Sequence, residues 1–286
     1  MTAPSVSPTL DAVGTTWIDG DRRINYVDAG AADAGVVLLI AGLGMQRIEW
    51  QPEFPAELVR RGFRVIAADN RDCGLSHVPG GEYGIRDMAL DLIDLLRHLR
   101  IDRVHVVGIS MGGMIAQHVA LAAPELTASL TSLMSTTGRR GVGRPHEVSK
   151  WIFRTDAPSD DRDAYLDYAI RHHESIAGPH HVELDFAREN ALRAFERGLR
   201  PEGTARQLAA IQADGDRHER LGAITAPTLV VHGDADPMID VSGGEDTAAA
   251  IPGARLALLP DVGHTIPVAV VSQLVDLIAE HAAAAG

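Results

Sequence analysis

Short apolar runs alternate with amphipathic stretches along this chain. The runs are Val36–Ala41, Phe63–Ala68, Val104–Ile109, Leu130–Met134, Thr228–Val231 and Arg255–Leu259. They are apolar almost throughout, the pattern of parallel strands covered on both faces. Between the second and third runs, Ile85–Arg100 carries Met88, Leu92, Leu95, Leu96 and Leu99 mostly at three- and four-residue steps, which predicts a helix with one buried face. Ahead of all of them, Trp17-Ile18 and Ile24–Val27 flank the turn Asp19-Gly20-Asp21, which predicts a β-hairpin. Strand–helix alternation of this kind implies a mostly parallel sheet of eight strands with right-handed crossovers and flanking helices, an α/β fold.

The rhythm breaks over residues 138–222. That stretch is charged, rich in His and Arg, and reads as several helices with no strand-like run. The expected organisation is therefore a sheet domain made of residues 1–137 and 223–286, with a helical cap at 138–222. Residues 1–14 read as a loose arm.

Composition narrows the function classes. The 286 residues carry a formal net charge of -13. An acidic chain of this kind is a poor partner for nucleic acid, which needs a basic face, and for an anionic membrane surface. No apolar run approaches the ~18 residues of a membrane span, and the N-terminus lacks a secretory pattern. One cysteine, Cys73, excludes an internal disulfide. The expectation is a cytoplasmic protein without metal or cofactor, its oligomeric state open. The pairs His172-His173 and His180-His181 are adjacent, so they do not share one helix face as metal ligands would. Cys73 stands in no motif and reads as a small loop residue.

The candidate chemistry starts at Gly108-Ile109-Ser110-Met111-Gly112-Gly113. An apolar run precedes it and a helix-forming stretch follows it. That is the context of a G-x-S-x-G elbow, where a serine sits on a sharp strand-to-helix turn with its hydroxyl exposed. The glycines two residues to either side let the turn close. A serine hydroxyl needs a neighbouring base. His264, in Val262-Gly263-His264-Thr265, follows the last run and so falls on the same sheet edge. Asp236 follows Thr228–Val231 and is the candidate to orient His264. Its rival Asp234 reads as a turn-capping carboxylate, and His232 as a partly buried residue at a strand end. The order Ser110, Asp236, His264 is that of the G-x-S-x-G hydrolases. Two backbone amides are the expected oxyanion donors: Met111, after the serine, and Leu43, in Gly42-Leu43-Gly44-Met45.

These residues carry a resemblance. From the hairpin to the last helix the chain resembles the α/β-hydrolases. The family's His-Gly before the oxyanion loop stands here as Ala41-Gly42. Its D-x-R-G-x-G-x-S stretch stands as Asp69–Ser76, with Asp72 in the first glycine place. Together with Ser110-Met111-Gly112-Gly113-Met114-Ile115-Ala116-Gln117 and Ser135–Gly138, it is similar to the aclacinomycin-methylesterase-like branch. The resemblance implies a carboxylic-ester hydrolase acting on a small molecule. Lactonase, thioesterase, carbon–carbon hydrolase, acyltransferase and cofactor-free haloperoxidase chemistry use the same residues, and a non-enzymatic ligand receptor is the alternative outside enzymes. Half of the aromatic residues lie in the cap. Trp50, Trp151 and Phe153 are the expected substrate-binding residues.

Overall fold

A computed structural model describes residues 14–286. The expected arm lies almost wholly outside the described residues. The eight described strands are β1 (Thr15–Asp19), β2 (Arg22–Ala29), β3 (Val36–Ile40), β4 (Arg64–Ala68), β5 (Val104–Ile109), β6 (Thr127–Leu133), β7 (Thr228–Gly233) and β8 (Arg255–Leu259). They form one sheet in the order β1-β2-β4-β3-β5-β6-β7-β8. The hairpin pairs Trp17 with Ile24, and β2 runs antiparallel to β4. From β4 to β8 every pairing is parallel. The sequence thus specifies a mixed sheet with helices on both faces.

The helices before residue 138 are α1 (Glu53–Arg60), α2 (Ile85–His98) and α3 (Met111–Ala122). Met88, Leu92, Leu95 and Leu96 of α2 are all buried, as their spacing requires. The run pattern does not reveal α1. It is only eight residues long and contains Pro55, which a helix tolerates in its first turn because the missing N–H has no partner there. Phe54 and Leu58, four apart, hold it to the sheet. The residues between β6 and β7 leave the sheet as α4 (Arg162–Ile176), α5 (Leu184–Arg197), α6 (Pro201–Asp214) and the short α7 (His218–Leu221). No strand interrupts them. The chain returns through β7, α8 (Ser242–Ala250), β8 and α9 (Val268–Ala285).

Two expectations need correction. β8 is the sheet's outer strand, with β7 alone beside it, and Leu256 and Leu258 are exposed. An apolar run on an edge strand therefore does not imply cover on both faces. The second concerns membrane spans. α9 has 18 residues of mean hydropathy 1.4, long and apolar enough by length and composition to cross a membrane. Polar residues interrupt it, so a search for unbroken runs misses it. In the structure Val270, Val271, Leu274, Val275 and Ile278 pack into the core with Leu229, Val231 and Leu259. That is the behaviour of an amphipathic core helix. Leu274→Ala should cost about 2–5 kcal/mol, read as a lower urea midpoint. An unchanged midpoint would mean that this face is not core.

Candidate active site

Parallel pairing decides where the candidate residues meet. β3, β5, β7 and β8 run the same way, so the segments after them share the sheet's carboxyl edge. Those segments carry Leu43, Ser110, Asp236 and His264. β3 pairs with β5 directly, Ile40 opposite Gly108, which lays Gly42 against Ser110. A Cβ built on Gly42 would sit 3.4 Å from the Ser110 Cβ.

Ser110 has φ 56° and ψ -121°, a left-handed region that costs a non-glycine residue energy. The flanking glycines explain how the turn closes. A Cβ on Gly108 would collide with the Gly112 carbonyl, and one on Gly112 with the Ile40 carbonyl. The obstacles are backbone and cannot rotate away. Ser110 N–H donates to Leu133 O at 2.9 Å, and Ser135 Oγ donates to Ser110 O at 2.7 Å. These bonds hold the turn from behind and leave the side chain at the cavity.

His264 and Asp236 meet. The Nδ1–H of His264 donates to Asp236 Oδ2 at 2.6 Å. That bond puts the proton on Nδ1 and leaves the Nε2 lone pair as the ring's proton acceptor. The other oxygen of Asp236, Oδ1, accepts the amides of Met238 and Ile239 at 2.8 and 2.9 Å. Burial by itself would raise the Asp236 carboxyl. Attraction to His264 and hydrogen bonds from His232 and His264 outweigh that and hold it well below the usual carboxylate range. Asp234 is exposed and accepts the Asp261 amide at 2.7 Å, a turn contact. His232 is fully buried, not partly, and donates from Nε2 to Ile239 O at 2.8 Å.

In the loop after β3, Gly44 N–H donates to Gln207 Oε1 at 2.8 Å and Met45 N–H to Gly42 O at 3.3 Å. The Leu43 amide has no such partner among the described residues. Met111 opens α3, where an amide has no acceptor within the helix. In the family's histidine place, Ala41 gives its carbonyl to Asn70 Nδ2 at 3.0 Å. Asp72, in the glycine place, has φ 66°, which explains why glycine suits it. Aspartate tolerates that region better than most residues. Its carboxylate accepts both Nε and Nη2 of Arg206 in α6, at 2.8 and 2.7 Å, and the Tyr83 hydroxyl.

A cavity of about 420 Å³ lies between this edge and the cap, and Ser110, His264 and Leu43 line it. Trp50 and Phe153 also line it. Trp151 does not. Its indole N–H donates to Ser175 Oγ at 3.1 Å, Arg171 lies over its ring, and it packs edge-on against Tyr168. It braces the cap, and Tyr168 fills the lining role instead. Among the further polar residues that line the cavity are Glu49, Tyr165 and His172. Burial, then the nearby His264 and His173, push the His172 ring down to about 4. Burial pushes the Glu49 carboxyl up to about 7, against the pull of the Gln46 amide. Glu49 stands in no motif, and His172 is visible in the sequence only as one of the pair His172-His173. Cys73 is buried, its thiol donates to Gly44 O at 3.2 Å, and burial raises it well above its usual value. Among the described residues no group of His, Cys, Asp or Glu could hold a metal ion.

A family model described as "alpha/beta hydrolase fold" matches residues 35–268. RutD of Variovorax paradoxus, named as a carbamate hydrolase, is 30% identical over 84% of this chain and 89% of its own. The rhodomycin D methylesterase DauP of Streptomyces sp. is 29% identical over 99% of both chains. The solved structure of a thermophilic esterase from Thermogutta terrifontis superposes with TM-score 0.70 at 25% identity, covering 96% of this chain and 97% of that one.

Two measurements test this account of the site. Gly112→Ala should cost about 3 kcal/mol or more, seen as loss of soluble folded protein or of urea resistance. Wild-type stability would refute the contact. The second is a pH dependence. A folded Glu49 that holds its proton up to about 7 binds more protons than the unfolded chain, whose carboxyl titrates near 4.5. Stability therefore falls as pH rises through that window. Glu49→Gln removes the fall, so urea midpoints of the two proteins should diverge between pH ~5 and ~7. A constant difference across the window would contradict the assignment.

Proposed function

The chain belongs to the alpha/beta hydrolase family, and from that premise we propose that it is a serine hydrolase cleaving carboxylic esters of small molecules. Ser110 is the nucleophile, His264 the general base and Asp236 the acid that orients it. The observation that carries this reading is the 2.6 Å bond from His264 Nδ1 to the buried Asp236 carboxylate, at a cavity that Ser110 also lines.

The cycle follows from that bond. Nε2 of His264 takes the Ser110 proton as the oxygen attacks the ester carbonyl. Asp236, whose carboxyl its histidine partners hold below the usual range, holds the tautomer and stabilises the imidazolium. The amides of Met111 and Leu43 receive the tetrahedral oxyanion. The alcohol leaves with the proton from His264, and water repeats the sequence on the acyl-enzyme. Residues 1–137 and 223–286 serve as the catalytic core and 138–222 as the cap that shapes the pocket, with Trp50 and Phe153 among its walls. A lone buried cysteine suits a cytoplasmic setting.

The methylesterase relative favours esters. The carbamate hydrolase relative makes carbamates, which present the same carbonyl beside nitrogen, the second reading. Turnover of matched aryl esters and carbamates by wild type and Ser110→Ala tests both. The wild type should turn over the ester faster, and Ser110→Ala should lose on the order of 10⁴-fold or more, because the three residues act as a unit. Comparable rates in the two proteins would overturn the assignment.

A further inference from the structure

Most of the cavity wall is apolar: Trp50, Phe186, Ala187, Leu208 and Ile266 contribute to it. Glu49 breaks that pattern. It sits in the turn Arg47–Glu49, one step past the oxyanion loop. Its Oε2 accepts the Gln46 amide at 2.6 Å. Its Oε1 has no hydrogen-bond partner among the described residues. Tyr165, from α4 of the cap, lines the same cavity and lies close enough to Glu49 to feel its charge. The Tyr165 hydroxyl also makes no hydrogen bond among the described residues. The ring is held by stacking on Tyr168 and by contact with Phe195. The cavity wall therefore carries one carboxylate oxygen and one hydroxyl that no described residue bonds.

We infer that Glu49 and Tyr165 are specificity residues that together bind a neutral hydroxyl on the substrate, so that the preferred esters carry a hydroxyl beyond the ester group. This rests on the hydrolase reading above. A plain alkyl chain would leave both groups buried and unpaired, which is costly. A hydroxyl donates to Glu49 Oε1 and accepts from Tyr165, satisfying both. An ammonium cannot accept. Sites built to bond a substrate hydroxyl reject analogues that lack it far more strongly than apolar pockets reject an extra methyl.

The test pairs methyl esters of ω-hydroxy acids with isosteric methyl esters of alkyl acids across a series of chain lengths. The readout is the kcat/KM ratio within each protein, which cancels any loss of folded enzyme. Wild type should favour the hydroxyl member by about tenfold or more at the best length. Glu49→Leu and Tyr165→Phe should bring that ratio toward one, and Glu49→Gln, which keeps an acceptor, should retain part of it. A wild-type ratio near one at every length, or the wild-type ratio persisting in Glu49→Leu, would overturn the inference. So would an ω-ammonium series that outperforms the hydroxyl series. Calorimetric binding of the same pairs to Ser110→Ala separates the two claims. A hydroxyl preference in binding, with no Ser110-dependent turnover in wild type, would retain this inference and remove the hydrolase reading. Ser110-dependent turnover with a flat ratio would remove the inference alone.

Discussion

The site depends on one close approach of backbone to backbone, where α3 lies against the end of β3. Gly112 touches the Ile40 carbonyl, and Gly108 and Gly112 touch each other across the turn. No side chain fits at either position. With the helix pressed that close, the chain between them must turn sharply, and Ser110 takes the left-handed conformation that results. The same contact brings the loop after β3 beside the serine. Strain at Ser110 is held by the sheet through Leu133 and by Ser135. The Ser110 conformation and the approach of the loop after β3 are thus consequences of one packing constraint.

The cap is bonded to this edge through charge. Asp69 accepts Arg197 at 2.6 Å and Asp72 accepts Arg206 at 2.7 Å, both carboxylates buried. Further along, His118 meets Asp214 at the end of α6. The histidine loop is tied to the cap as well: the His264 amide donates to Ile176 O at 2.6 Å and the Gly263 amide to Ala177 O at 3.2 Å, at the end of α4. Movement of α4 is therefore movement of the His264 backbone. Removing one partner of such a buried pair leaves an uncompensated charge, so these contacts set the cap's position more than they add net stability.

The strands, the elbow and the chain order of Ser110, Asp236 and His264 are legible in the sequence because each leaves a local signature. Apolar runs mark the strands, glycines mark the elbow, and strand ends mark the loops. α1 is illegible because eight residues with an early proline give too short a period. The start of β6 is hidden because its Thr127 and Ser129 are polar yet buried. Ser129 bonds His105. The cavity wall is the least legible part. Trp151 and Tyr168 are both cap aromatics, and only the packing of α4 decides which faces inward. Glu49 stands in no motif, and only the fold brings it to the cavity wall.

The central claim is that Ser110 is a nucleophile activated by His264. The most direct measurement is covalent labelling with an alkyl fluorophosphonate, followed by peptide mass spectrometry. One adduct per chain is expected, on Ser110, formed far more slowly in His264→Ala. An adduct on another residue, or labelling of Ser110 at the same rate without the imidazole, would contradict it.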